Sequence, residues 1–155
     1  MSRIRFKSLS SGSCGNCYFI GIFNEDNTCR SSILIDAGVS PRRLKKELSK
    51  DNIPLESISG ILVTHDHYDH VRSLGSYCKH LATPVWVTPQ LSPALARVHT
   101  IGEHYPLRRK VLGQGWNEIC GHDILARYFV VPHDATQTVG YAIMIDGYKF
   151  VIMTD

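Results

Sequence analysis

The segment His65-Asp66-His67-Tyr68-Asp69-His70 follows directly on the apolar run Gly60-Ile61-Leu62-Val63, and this junction restricts the chain more than any other. A short, wholly apolar run reads as a strand covered on both faces. A chain leaving such a strand in extended form turns positions two apart to the same side. His65, His67 and Asp69 are therefore expected to converge on one pocket, with His70 beside them at the start of a helix over Val71 to Leu81. Imidazole nitrogen and carboxylate oxygen are the donors expected for Zn²⁺ or Mn²⁺, with Fe²⁺ a further candidate, where thiolates are absent. Four such side chains exceed what one ion takes from a single loop, so the spacing implies two divalent metal ions that divide the ligands.

The remaining pattern reads as strands, then strand-helix units, then strands. Ile4 to Leu9 alternates with period two, Cys17 to Ile22 is apolar, and Ser32 to Asp36 is β-branched; these are expected to be consecutive antiparallel strands. Ser40-Pro41 opens a helix, with serine at the N-cap, proline at the first helical position, and Leu44 and Leu48 on one face. Pro84 to Val87 reads as a strand and Ser92 to Val98 as a helix. Trp116 to Cys120, Ile124 to Val131, Val139 to Ile145 and Lys149 to Met153 read as strands, the last two joined by the hairpin pair Asp146-Gly147. The order predicts one layered α/β domain with mixed sheets, without repeats or linkers.

With 155 residues, 43% hydrophobic and 20% charged, the composition excludes a disordered chain. A net charge of +3 is compatible with a polyanionic substrate without specifying one. The N-terminus lacks the apolar core of a secretory signal, and no apolar run is long enough to cross a membrane. The five cysteines have no framework spacing and read as reduced thiols of a cytosolic protein. Cys14 and Cys17 lack a second pair at zinc-ribbon spacing.

His65-x-His67-x-Asp69-His70 resembles the signature of the metallo-β-lactamase superfamily, whose fold is an αββα sandwich of two similar halves. Val131-Pro132-His133-Asp134-Ala135 resembles the later strand end that carries a third histidine, and Val151 to Asp155 the segment that carries a bridging aspartate. The resemblance implies that His65, His67 and His133 hold one metal, that Asp69 and His70 hold the second, and that Asp155 bridges them. Asp69 and Asp155 would then be the catalytic carboxylates. Within the superfamily the chain is most similar to the WalJ/YycJ-type branch, linked to nuclease activity on DNA. Ser8 to Cys17, Ile35-Asp36-Ala37-Gly38 and Val139-Gly140-Tyr141 carry that likeness.

The function implied is a metal-dependent phosphodiesterase, a nuclease acting on DNA through hydroxide generated between two ions about 3.5–4 Å apart. Ser11, Gly12 and Asn16 in the first loop are candidate phosphate contacts, and Asp66 is a candidate for orienting a histidine. Two basic clusters, Arg42 to Lys46 and Arg108 to Lys110, are candidates for tracking a phosphate backbone. Two other readings stand beside this one: hydrolysis of a small ester, thioester or lactam, and a catalytically incomplete metal-binding or assembly module. Relative to the family pattern, residues 1–155 comprise the N-terminal half of the sandwich and the start of the second, ending at Asp155 before a last histidine. The expectation is that this length of chain is weak or inactive alone, and that its final strand, with an exposed edge, invites self-association or pairing with another chain.

Overall fold

The computed structural model describes residues 3–9, 15–132 and 137–153. Among these residues ten strands form two sheets. The first contains β1 (Arg3–Ser8), β2 (Tyr18–Phe23), β3 (Cys29–Ile35), β4 (Ile58–Leu62), β5 (Val85–Val87) and β6 (Arg109–Val111), in that spatial order. The second has the order β10 (Tyr148–Ile152), β9 (Thr138–Ile145), β8 (Ile124–Val131) and β7 (Asn117–Cys120). The antiparallel β1-β2-β3 meander agrees with the sequence, and so does the mixed character of the first sheet: β3 to β6 run parallel.

Parallel strands need crossovers, and these carry the helices. In α1 (Pro41–Ser49) the Ser40 hydroxyl accepts from the Arg43 amide at 3.3 Å, while Leu44 and Leu48 are fully buried. Truncating either leucine to alanine removes packing equivalent to about 3 kcal/mol. The helix expected over Val71 to Leu81 is broken into α2 (Tyr68–Val71), α3 (Leu74–Ser76) and a π-turn (Tyr77–Leu81). The break falls at Ser73, which has φ −103° and ψ 3° and whose amide donates to the Ala37 carbonyl at 3.0 Å in place of a helical partner. Within α3 the backbone at Gly75 passes close to its neighbour: a methyl group there would lie 2.4 Å from the Thr100 carbonyl oxygen. The π-turn closes on Ala82 in the left-handed conformation. The helix near Ser92 is α4 (Leu91–Ala96), and α5 (Tyr105–Arg108) leads into β6. The second basic cluster therefore lies across a helix end and a short strand, which its charge run had concealed.

Residues Phe19 to Phe23, Ser31 to Ile35 and Gly60 to Leu62 are buried without alternation, as strands covered on both faces must be. One contiguous core joins the sheets: Ile33, Leu34, Ile61 and Leu62 from the first belong to the same cluster as Ile124, Val139, Tyr141 and Ile143 from the second. The sheets are also tied by hydrogen bonds. The Val139 amide donates to the Thr64 carbonyl at 2.9 Å, and the buried Tyr141 hydroxyl donates to the Val63 carbonyl at 2.5 Å. At the other edge β10 is the outermost strand, with Val151 61% exposed. An apolar groove lies between it and Ile4, Phe6, Tyr18 and Ile20. Among the described residues, no helix is long and apolar enough to cross a membrane.

Candidate metal centre

The site forms where β3 and β4 end side by side. Asp36 follows β3 in the left-handed conformation, φ 64°, which aspartate tolerates better than most residues. Its amide donates to the Leu62 carbonyl at 2.8 Å, and this turns the carboxylate beneath the residues that leave β4. One carboxylate oxygen accepts from the Thr64 amide at 2.8 Å. The other accepts from the Thr64 hydroxyl at 2.6 Å and lies 2.7 Å from Nδ1 of His70. Asp36, Thr64 and His65 are fully buried, and His70 nearly so.

These contacts fix two tautomers. A carboxylate only accepts, so Nδ1 of His70 carries the proton and Nε2 carries the lone pair. The Thr64 hydroxyl gives its hydrogen to Asp36, so its oxygen accepts from Nδ1–H of His65 at 2.8 Å. That places the lone pair of His65 on Nε2 as well. Both imidazoles are held in the form that binds metal.

His67 stands at the mouth, exposed, with its ring centroid 4.4 Å from that of His65; the His65 and His70 centroids are 4.0 Å apart. Asp69 lies with one oxygen 3.8 Å from Nε2 of His70. Asn16 holds that oxygen, donating from Nδ2 at 2.8 Å, and its backbone amide donates to the Asp69 carbonyl at 2.9 Å. The first loop approaches this closely because residue 38 is glycine: a methyl group there would sit 1.9 Å from the Asp69 carbonyl oxygen.

The structure brings together His65, His67, Asp69 and His70, but by a route other than extended alternation. His67 is the last extended residue, φ −62° and ψ 137°, and acts as the N-cap of α2. Asp69 and His70 sit on the first turn of that helix, closed by the His70 amide on the His67 carbonyl at 2.9 Å. Period two therefore explains His65 and His67, and helical geometry explains the other pair. Asn16 is engaged with Asp69, where phosphate contact was expected of it. Asp66 is half-buried. His133, Asp155, Ser11 and Gly12 lie outside the described residues.

Sequence reasoning gave Asp36 no role. One atom each from Asp36, His65 and His70 lie within 4.8 Å of one another, and the Asp36 oxygens already face three donors, the amide and hydroxyl of Thr64 and Nδ1 of His70. Its signal was a carboxylate set immediately after the apolar strand Ser32 to Ile35, where an unpartnered charge is costly. Tyr68, in the loop itself, stacks on His99 with centroids 5.3 Å apart and planes 13° from parallel. That puts His99 at the rim of the site, although its sequence position carried no ligand spacing.

The family model described as "Metallo-beta-lactamase superfamily" matches residues 14–155. The exodeoxyribonuclease YycJ of Bacillus anthracis is 30% identical over 98% of this chain and 54% of its own length. The exodeoxyribonuclease WalJ of Streptococcus pneumoniae is 29% identical over 100% of this chain and 56% of its own. This chain thus spans about half the length of the curated relatives it matches. Among solved structures, Zn²⁺-bound PqqB from Methylobacterium extorquens superposes with a TM-score of 0.62 over 87% of this chain and 48% of that one. At 19% identity that likeness speaks for the fold alone, the two-sheet α/β sandwich expected from the sequence.

Proposed function

Because this chain belongs to the metallo-β-lactamase superfamily, whose members are hydrolases that bind divalent metals, we propose that it is part of a two-metal phosphodiesterase acting on DNA. The observation that carries the reading is the fixed tautomer of His65 and His70, which turns both Nε2 lone pairs to metal-binding use beside His67 and Asp69. DNA is supported as substrate by the two relatives named exodeoxyribonucleases, each aligned to nearly all of this chain. Residues 1–155 act in this reading as one domain, the first half of the sandwich and the start of the second.

The donor set of imidazoles and carboxylates fits Zn²⁺ or Mn²⁺. His65, His67 and His133 would hold one ion, Asp69 and His70 the other, and Asp155 both. Bound ions would supply Lewis acidity toward a water nucleophile and the phosphoryl group. The protein's own contribution is preorganisation. Asp36 locks His70 and, through Thr64, His65, so that no rotamer search accompanies ligation. Asn16 steadies Asp69, whose carboxylate remains half exposed toward the reacting face.

The test is a metal count joined to a cleavage assay. Protein stripped by chelator and reloaded should hold two ions per chain, and should shorten linear duplex DNA slowly, in a reaction abolished by His65→Ala. Two bound ions with intact DNA, but turnover of a thioester or lactam, would overturn the DNA assignment. Less than one ion per chain would overturn the reading altogether.

A further inference from the structure

Since β4, β5 and β6 run parallel, their C-terminal ends share one edge of the first sheet. His65 lies beyond the end of β4, Gln90 beyond β5 and Gln114 beyond β6. At about 4.8 Å between strands, this row extends about 10 Å outward from the histidine loop. Facing it is the second half of β8. Strand β7 pairs with β8 only at Ile124, Leu125 and Ala126, so Arg127 to Val131 has no strand on that side among the described residues.

The space between is a groove of about 490 Å³ lined by Gln90, Gln114, Arg127, Tyr128, Phe129 and Gln137 among others. Its wall is braced: Gln137 accepts from the Thr88 hydroxyl and donates from Nε2 to the Gln90 carboxamide oxygen. It is also joined to the histidine loop, because Val139, two residues beyond Gln137, bonds the carbonyl of Thr64 just before His65.

We propose that this groove is a track for a single nucleic-acid strand, holding the nucleotides that flank the bond to be cut. The proposal rests on the phosphodiesterase reading for its direction. Its chemistry comes from the lining. Among the described lining residues Arg127 is the only charged one and none is a carboxylate, and Arg127 has no ion-pair partner among the described residues. A guanidinium so placed suits a phosphate, which it can grip with two parallel hydrogen bonds. Carboxamides donate and accept along a base edge, and the half-buried rings of Tyr128 and Phe129 offer faces for stacking without regard to sequence. A 10 Å track takes about three nucleotides at the 3.4 Å rise of a stacked strand. An acidic peptide lying along the open edge of β8 is the competing occupant.

The experiment measures fluorescence anisotropy of a phosphorothioate-linked oligothymidylate, which resists cleavage, with the metal-loaded protein. Arg127→Ala is expected to raise Kd about tenfold and to lower the slope of log K against log salt by about 0.7, one phosphate's share for a single strand. Arg127→Lys should recover most of the affinity, and equal melting temperatures should show that the exposed position leaves folding intact. An unchanged Kd in Arg127→Ala overturns the proposal. So does Arg127-dependent capture of a glutamate-rich peptide by protein that ignores the oligonucleotide. Turnover of bis(p-nitrophenyl) phosphate by the unsubstituted protein tests the phosphodiesterase reading separately. Turnover with Arg127-independent binding removes the groove alone, whereas Arg127-dependent binding without turnover removes that reading and keeps the groove.

Discussion

The carboxylate of Asp36 lies 2.7 Å from Nδ1 of His70, joining two residues 34 apart in sequence at the ends of a buried strand and a short helix. The same carboxylate takes both the amide and the hydroxyl of Thr64. One side chain thus determines the presentation of two imidazoles that it does not resemble in role.

Asp36→Asn keeps the volume and loses the all-acceptor character. A carboxamide nitrogen facing Thr64 or Nδ1–H of His70 leaves a buried donor without an acceptor, which costs about 1–3 kcal/mol. Metal affinity should fall about 10- to 100-fold, the usual effect of removing a ligand's orienting partner. Chelator competition on the folded variant measures it. Affinity equal to that of the unsubstituted protein would mean that Asp36 is only a packing element.

Gly38→Ala and Gly147→Ala separate two reasons for glycine. At residue 38 the obstacle is contact, a methyl group 1.9 Å from the Asp69 carbonyl oxygen. The first loop must then retreat from the metal loop, and a loss of about 3 kcal/mol is expected. At residue 147 nothing lies within 4 Å of the added carbon, but φ is +82° in the hairpin that follows Asp146. The expected loss there is about 1 kcal/mol, from conformation alone. Urea melts should rank them in that order, with metal binding impaired only in the first.

Burial pushes the Cys78 thiol up to about 11, with Arg108 opposing in part, and burial pushes Cys17 up as well. Both thiols should resist iodoacetamide at pH 8, since the thiolate is the reactive form. Cys29 and Cys120, which are half-buried, should react first. Peptide mass mapping before and after denaturation reads the order directly, and rapid native labelling of Cys78 would contradict the packing described.

Asp51 is bonded by Lys7, and that hydrogen bond, aided by the charges of Lys7 and Arg5, holds its carboxyl below the usual value. Its folded pKa is thus lower than its unfolded one. The contribution to stability is complete above the ordinary carboxylate value of about 4 and is lost as pH falls through the depressed folded value. Because both partners are partly exposed, the effect should stay within about 0.5 kcal/mol. Asp51→Asn should melt slightly below the unsubstituted protein at pH 7, with the gap closing in acid.

The sequence made the strand order of both ends, the capped α1 and the Asp146-Gly147 hairpin readable, because each rests on a local period or a turn residue with one dominant use. It also marked the histidine loop, since donors of that kind rarely follow an apolar strand. Three features needed the third dimension. The split of the helix after Val71 goes with the Ser73 amide bonding the Ala37 carbonyl, a contact across 36 residues that no local propensity encodes. Asp36 showed as a residue in a family-like string, but its partners come from β4 and α2. Asn16 carried a phosphate-binding signature as part of a glycine-rich loop, whereas its partner is the carboxylate of Asp69.

The hydrogen bond from Val139 to Thr64 has a kinetic consequence. It fastens the two sheets at the residue before His65, and the Tyr141–Val63 bond lies one step further in. Parting these bonds means parting the shared core, so the Val139 amide should exchange with solvent deuterium only at the rate of whole-molecule opening. The entry to the His65–His70 segment is then as long-lived as the fold itself.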